Sequence, residues 1–325
     1  MENIIEIKNL QEMKAKSPVS GVILIKDYTI QQTKNGAEYI SGTIQNGTTF
    51  PFKVWGNTDA FNFLKENASQ NTPRYVVGEI DDYKGSLSVV LERVHEIANP
   101  ENYSLDTFLP TKYEAEKYIN ALKQKFTEST SEKCQELANK TLFNNEALME
   151  HFKVEFAAKS FHDNCKSGLL AHTYKVVYNI ALIIKIYPNI CARSTEEETN
   201  DYKDLLFLGA MLHDIGKTEE MNFGVYGEKS IVNHSYLGVE MIAPYKERIC
   251  ELYGEYWYYE LISIMLQHHN KFGEPAKTVA AYVINMADEY DARLTLINQT
   301  IEELPKENLG NHDVRIKIED QYLNI

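Results

Sequence analysis

The chain has 325 residues, with 33 Lys and Arg against 47 Asp and Glu, for a formal charge of −14. That length predicts two domains and a substantial core. The acidic balance excludes broad electrostatic binding to a nucleic-acid backbone, though not a narrow site where metal ions supply the positive charge. Cys134, Cys165, Cys191 and Cys250 form no Cys-x-x-Cys pair, so neither a zinc ribbon nor a disulfide framework is indicated, and reduced thiols in a cytoplasmic protein are expected. The opening MENIIEIKNLQEMKAK lacks the apolar stretch of a signal peptide. No run approaches the roughly 18 apolar residues of a membrane span, so the protein is expected to be neither secreted nor membrane-spanning.

In chain order, residues 19–95 read as β structure. Strands are expected over 19–30, 37–44 and 48–55, separated by turns at Asn35-Gly36 and Asn46-Gly47. In the third, Phe50, Phe52 and Val54 alternate with Thr49, Pro51 and Lys53, as a half-buried strand requires. A short helix over 58–67 follows, capped by Thr58 or Asp59. A hairpin of 74–80 and 87–94 then turns at Lys84-Gly85. Three strands, a helix and two strands is the order of a small five-stranded OB-fold β-barrel. Such barrels bind single strands by stacking bases on exposed aromatic rings. The candidate substrate-binding residues are Tyr28, Tyr39, Phe52, Trp55 and Lys53, with Phe50, Tyr75, Lys26, Lys34 and Arg74 also near. Half or more of the aromatics must fill the barrel interior.

Residues 96–110, with two prolines and little periodicity, are expected to link a 1–95 barrel domain to an all-α domain over 111–325. Beyond the linker, 111–126, 131–140 and 145–159 are charge-rich and helical. From 169 to 187 the residues Leu169, Thr173, Val176, Ile180, Ile183 and Tyr187 recur at helical spacing until Pro188, with His172 on the first turn. Glu196-Glu197-Glu198 reads as a loop or helix start. A buried helix over 204–212 ends in His213-Asp214, and Gly216 is a plausible stop. His234 begins another helix with Asn233 as its cap. His268 falls on the stripe of Leu261, Ile264 and Met265, and His269 falls four residues after Met265. Asp288 shares a helix face with Ala281, Ile284 and Asp291.

A lone histidine on an apolar face is usually a hydrogen-bonded core residue. Here one His, a His-Asp, a His, a His-His and an Asp all sit at or near the apolar side of a helix. Such groups are costly to bury unless hydrogen-bonded, paired or on a metal. Imidazole and carboxylate without thiolate suit Mn, Fe, Zn, Ni or Co, and there are ligands enough for two ions sharing Asp214. Two such ions, about 3.5–4 Å apart, activate a water and clamp the oxygens of a phosphate.

The order His172, His213-Asp214, Asp288 resembles the HD-domain superfamily of metal-dependent phosphohydrolases, and the further His234, His268 and His269 are similar to its two-metal branch. More closely, the chain resembles the YhaM family of 3′–5′ exoribonucleases, in which an OB-fold precedes an HD domain. The matching stretches are Gly168-Leu169-Leu170-Ala171-His172-Thr173, Leu212-His213-Asp214-Ile215-Gly216-Lys217, His234, Gln267-His268-His269 and Ala287-Asp288-Glu289-Tyr290-Asp291-Ala292. The resemblance implies that His172, His213, Asp214 and Asp288 hold one ion. It implies that Asp214, His234 and His268 hold the second, with His269 as a further ligand or just behind one. Manganese is the first expectation for the two divalent ions, with Fe, Ni, Co or Zn as alternatives. Catalytic roles fall on Asp214, on Lys217 as a cation facing the phosphate, and on His162, which resembles a family histidine near that phosphate.

The implied activity is a metal-dependent 3′–5′ exonuclease that cleaves single-stranded RNA, or DNA, to nucleoside 5′-monophosphates with a metal-activated hydroxide. A homo-oligomer is expected from the resemblance. A phosphohydrolase acting on a free, cyclic or signalling nucleotide is the alternative, favoured by the acidic charge and disfavoured by the barrel. A metal-sequestering assembly module and a di-iron oxygen-activating centre are two further readings of the same ligands. The chain departs from the family after the His-His pair, where Asn270 and then Phe272-Gly273-Glu274-Pro275 replace a glycine and a Gly-Ser-Pro turn. That departure bears on substrate choice more than on metal binding.

Overall fold

Runs rich in Val, Ile, Thr, Tyr and Phe set five strands: β1 (Pro18–Gln32), β2 (Glu38–Gln45), β3 (Thr49–Trp55), β4 (Thr72–Tyr83) and β5 (Ser86–His95). The computed structural model describes residues 13–67, 70–83, 85–159, 162–269, 273–302, 304, 306–318 and 321–324. Lys84 of the expected hairpin turn, and Phe161, Asn270 and Phe272 near the site motifs, lie outside them. The strands close a barrel in the order β1-β2-β3-β5-β4. Neighbours are antiparallel except β3 and β5, where Phe52 and Lys53 pair in parallel with Val89 and Val90. Gly36 and Gly47 take φ of +79° and +71° at the two expected turns, a region open to glycine because it has no Cβ. Helix α1 (Asp59–Glu66) follows β3, and the Thr58 side chain caps it by accepting the Phe61 N–H. Its Ala60, Phe61 and Leu64 join Ile23, Ile40, Phe50, Phe52 and Val54 in the barrel core.

The chain divides into two units, 1–111 and 112–325. Residues 96–110, expected as a linker, therefore lie within the first. Phe108 and Leu109 are buried there, and the Phe108 carbonyl accepts the Gly47 N–H at 2.9 Å.

The second unit is built on helices α2 (Ala115–Ser129), α3 (Glu132–Ala138), α4 (Glu146–Val154), α5 (Gly168–Ile186), α6 (Glu196–Leu212) and α7 (Lys217–Glu220). It continues with α8 (Asn233–Ile242), α9 (Lys246–Tyr253), α10 (Glu255–Gln267) and α11 (Val279–Glu302). The acidic run 196–198 is the first turn of α6, where Thr195 and Glu198 form a capping box and the carboxylates complement the helix dipole. Leu169, Val176, Leu205, Leu208, Leu261, Ile264 and Ile284 share one core. By length and composition α5 could cross a membrane, yet its face from Leu169 to Ile180 is buried in that core. Two hairpins supplement the helices. One, β6 (Met221–Asn222) with β7 (Val225–Tyr226), follows α7; the other, β8 (Arg315–Ile318) with β9 (Gln321–Asn324), follows α11.

Candidate metal centre

Five helices deliver the site. His172 lies in the first turns of α5, and His213 and His268 are the C-caps of α6 and α10. His234 is near the start of α8, and Asp288 is on the buried face of α11. Asp214, immediately past the end of α6, is at their centre. Its Oδ2 lies 3.5 Å from His172 Nε2 and 3.3 Å from His213 Nε2. Its Oδ1 lies 3.5 Å from each Nε2 of His234 and His268. One carboxylate thus divides the imidazoles into two sets. Asp288 Oδ1 joins the first, 3.2 Å from His172 Nε2. His269 joins the second, with its Nε2 2.8 Å from that of His234.

The ring orientations are set from behind. Nδ1 of His213 meets the Ala210 carbonyl at 2.8 Å, and Nδ1 of His268 meets that of Met265 at 3.0 Å. With the proton held at Nδ1, each Nε2 presents its lone pair to Asp214. Asn285 on α11 donates to the His268 carbonyl at 2.7 Å and so fixes the end of α10 beside the site. Gly216 fixes the approach of α8, because a Cβ there would stand 2.0 Å from the His234 carbonyl oxygen and 2.5 Å from the Gly238 nitrogen. Gly216→Ala must push α8, and His234 with it, away from Asp214. Overpacking against backbone predicts a loss of about 3 kcal/mol, read as an earlier thermal transition together with weaker metal uptake; an unchanged transition would refute the close approach.

Charge is unbalanced in the cluster. Asp163, Asp214, Asp288, Asp291 and Glu220 are buried, and among the described residues the ammonium groups bonded to them are Lys175 and Lys217. Burial opposes the charge on Asp214, but Lys217, with Nζ 2.7 Å from Oδ2, and the histidines hold its carboxyl well below the usual range. Burial opposes the charge on His172 as well, yet Asp288 and Asp291 raise its pKa to about 10, so an ion taken up there competes with a proton. Burial pushes His268 down, and His269 down to about 3, leaving both neutral. His162 is also lowered by burial; its ring centroid is 4.9 Å from that of His172.

Asp214 Oδ1 and His268 Nε2 are buried without a hydrogen-bond partner among the described residues. A buried carboxylate oxygen and an imidazole nitrogen left so are costly, and a divalent cation satisfies both. Asp214, His234, His268 and His269 make one group with ligand atoms within 4.8 Å of one another, and His172, His213 and Asp214 make another. The donor set therefore fits divalent metal binding. His162, Asp163, His172 and Asp291 are equally close. That group is already knit together, because Lys175 bonds Asp163 at 2.7 Å and Asp291 bonds His172 Nδ1 at 2.7 Å.

Residues 169–293 match the model of the HD domain family. The helical unit carries an HD domain. Along nearly its whole length the chain is similar to 3′–5′ exoribonucleases named YhaM. It is 23% identical to that of Bacillus subtilis (strain 168), over 87% of this chain and 88% of the relative. It is 24% identical to that of Shouchella clausii, over 91% and 90%. A solved structure of the mitochondrial single-stranded DNA binding protein Rim1 from S. cerevisiae is 23% identical, covering 26% of this chain and 96% of that one with a TM-score of 0.23, a likeness too slight to carry any argument.

The helical unit thus brings together every metal candidate expected, and places Lys217 and His162 beside them. In the barrel the candidates separate. Tyr39 and Trp55 are cross-strand neighbours with ring centroids 5.8 Å apart. With Lys34, Lys53, Asp81 and Tyr83 they line a shallow cleft of about 390 Å³, where Lys53 Nζ lies 5.8 Å from the Tyr83 ring. Phe52, expected as a stacking platform, is not one: it is 1% exposed inside the barrel, because β3 alternates and Phe52 shares the inner face with Phe50 and Val54. Tyr28 is corrected too, since its half-buried ring packs on the barrel core and its hydroxyl donates to the Leu64 carbonyl at 2.8 Å. Tyr83 was missed, although it ends β4 on the exposed side, two residues past Asp81.

Proposed function

We propose that the chain is a metal-dependent 3′–5′ exonuclease hydrolysing single-stranded RNA to nucleoside 5′-monophosphates. The observation that carries this reading is Asp214, whose two oxygens face two separate sets of imidazoles. On this reading His172, His213, Asp214 and Asp288 hold one divalent ion, and Asp214, His234, His268 and His269 hold the other, with manganese as the first expectation. When bound, such ions supply Lewis-acid polarisation of the phosphate and a more acidic water.

The chain's own residues do the rest. Lys217, buried beside Asp214, keeps its proton because the carboxylates of Asp214, Asp288 and Glu220 outweigh the cost of burying it. It donates to a non-bridging oxygen of the terminal phosphodiester as charge builds there. Neutral His162 hydrogen-bonds that phosphate. Water adds to phosphorus and gives up a proton, the bond from phosphorus to the 3′ oxygen of the preceding nucleotide breaks, and that oxygen takes up a proton and leaves as the new 3′ hydroxyl. The barrel holds the upstream strand against Tyr39 and Trp55, which raises its local concentration at the HD domain through the covalent connection. The four cysteines, all free, suit a cytoplasmic location.

Lys217→Met should lower kcat about 10²- to 10³-fold, the usual effect of removing one such donor, with both ions still bound by elemental analysis. Loss of the ions would make Lys217 a structural residue instead. The reading as a whole is tested by a time course on 5′-labelled single-stranded RNA with Mn²⁺, beside EDTA. A ladder shortening from the 3′ end and lost in EDTA supports it. An intact strand, with turnover of a free or cyclic nucleotide, would favour the small-substrate alternative suggested by the charge of −14.

A further inference from the structure

His172 and His234 face a difficulty that His213 and His268 do not. At the end of a helix the last carbonyls lack intrahelical partners, and the two C-cap histidines each take one from three residues back. In the first turns of a helix the carbonyls are committed to the helix and the free backbone groups are donors. A histidine there finds no acceptor for Nδ1–H on its own backbone. His172 and His234 each find a buried carboxylate from another element. Asp291 Oδ2 on α11 lies 2.7 Å from His172 Nδ1, and Glu220 Oε2 at the end of α7 lies 2.9 Å from His234 Nδ1. The two carboxylates fall on opposite sides of the division at Asp214, because His172 stands at Oδ2 and His234 at Oδ1.

We propose that Asp291 and Glu220 are positioning residues, one for each ion, which hold the two helix-start histidines with Nε2 toward Asp214 and set the two metal affinities separately. This rests on the two-ion reading above. Neither carboxylate oxygen used here is a ligand; each acts through the imidazole it holds, by fixing the ring and strengthening it as a donor.

The supports differ. Asp291 belongs to a network: its Oδ1 meets Lys175 Nζ and Thr295 Oγ1, each at 3.2 Å. Lys175 reaches on to Asp163, which also accepts the Tyr113 hydroxyl. Glu220 is placed by its backbone, whose N–H donates to the Gly216 carbonyl at 3.0 Å and whose carbonyl accepts the Gly227 N–H at 2.9 Å. It therefore sits where α7 meets the β6–β7 hairpin, beside the Gly216 that brings α8 close. The position served by His234 depends on that local geometry, and the position served by His172 on the wider network.

The test is Mn²⁺ binding to the full-length chain by calorimetry, with electron paramagnetic resonance of the loaded protein and no RNA present. The wild type should show two classes of site and a spin-coupled manganese pair. Glu220→Ala should weaken one class 10- to 100-fold and leave the other unchanged; Asp291→Ala should weaken the other class alone. In both, sub-saturating manganese should give the signal of an isolated ion. Glu220→Gln and Asp291→Asn keep an oxygen acceptor at Nδ1–H and should recover part of the affinity; they decide the matter if the alanine variants fail to fold. Unchanged isotherms in folded variants, or equal weakening of both classes by either change, would overturn the proposal. A wild type that takes up fewer than two ions would overturn the two-ion reading beneath it, and RNA cleavage enters neither result.

Discussion

Asp214→Ala should lose both ions and cleave RNA at least about 10³-fold more slowly, with its helical circular dichroism unchanged. The size follows from the chemistry removed. Metal polarisation of a phosphoryl group supplies several kcal/mol, and each 1.36 kcal/mol is a factor of ten in rate. The other candidate residues belong to one set or the other, whereas Asp214 faces both sets of imidazoles. The change also leaves the Lys217 ammonium without its 2.7 Å partner, so Asp214→Asn, which keeps the shape and removes the charge, is the companion variant. Metal content by elemental analysis and single-turnover cleavage would be measured together. Near-normal turnover in either variant would sink the assignment of the site.

The Tyr39→Ala, Trp55→Ala double variant should raise KM for single-stranded RNA about 5- to 150-fold, with kcat and the hydrolysis of a small chromogenic phosphodiester unchanged. Stacking one base on an aromatic platform is worth about 1–3 kcal/mol, which converts to that range. Trp55 is 46% exposed and Tyr39 half-buried beside it, so truncating them opens no cavity in the barrel core. The split between KM and kcat is what separates strand binding from a structural effect, which would lower the activity on both substrates. An unchanged KM would remove the cleft from the function.

The barrel shows how far local pattern reaches. The alternation of Phe50, Phe52 and Val54 with Thr49, Pro51 and Lys53 already places Phe52 on the inner face and Trp55 on the outer. The two cannot both be stacking platforms, because β3 obeys that period of two. Tyr28 could not be settled that way. It lies past the irregularity between Ile25 and Asp27 in the pairing of β1 with β2, and its hydroxyl is taken by Leu64 on a helix 36 residues on. The C-terminal hairpin was faintly legible, since Ile316 and Ile318 alternate with Arg315 and Lys317 and are the buried pair.

What the sequence by itself determined are features whose causes are local. Period-two and helical spacings, Asn-Gly turns, a Thr cap and a His-Asp at a helix end each act within a few residues, and they sufficed for the five barrel strands and for the helices that carry the candidate metal-binding residues. Only the tertiary structure decided how these side chains meet. Asp214 meets His172 and His268 from helices far apart in the chain, Gly216 is required because α8 passes against it, and Asp291 reaches His172 across 119 residues. The physical reason is that a helix start offers no carbonyl to a histidine. Its partner must come from wherever the packed core brings a carboxylate, and no spacing along the chain encodes that.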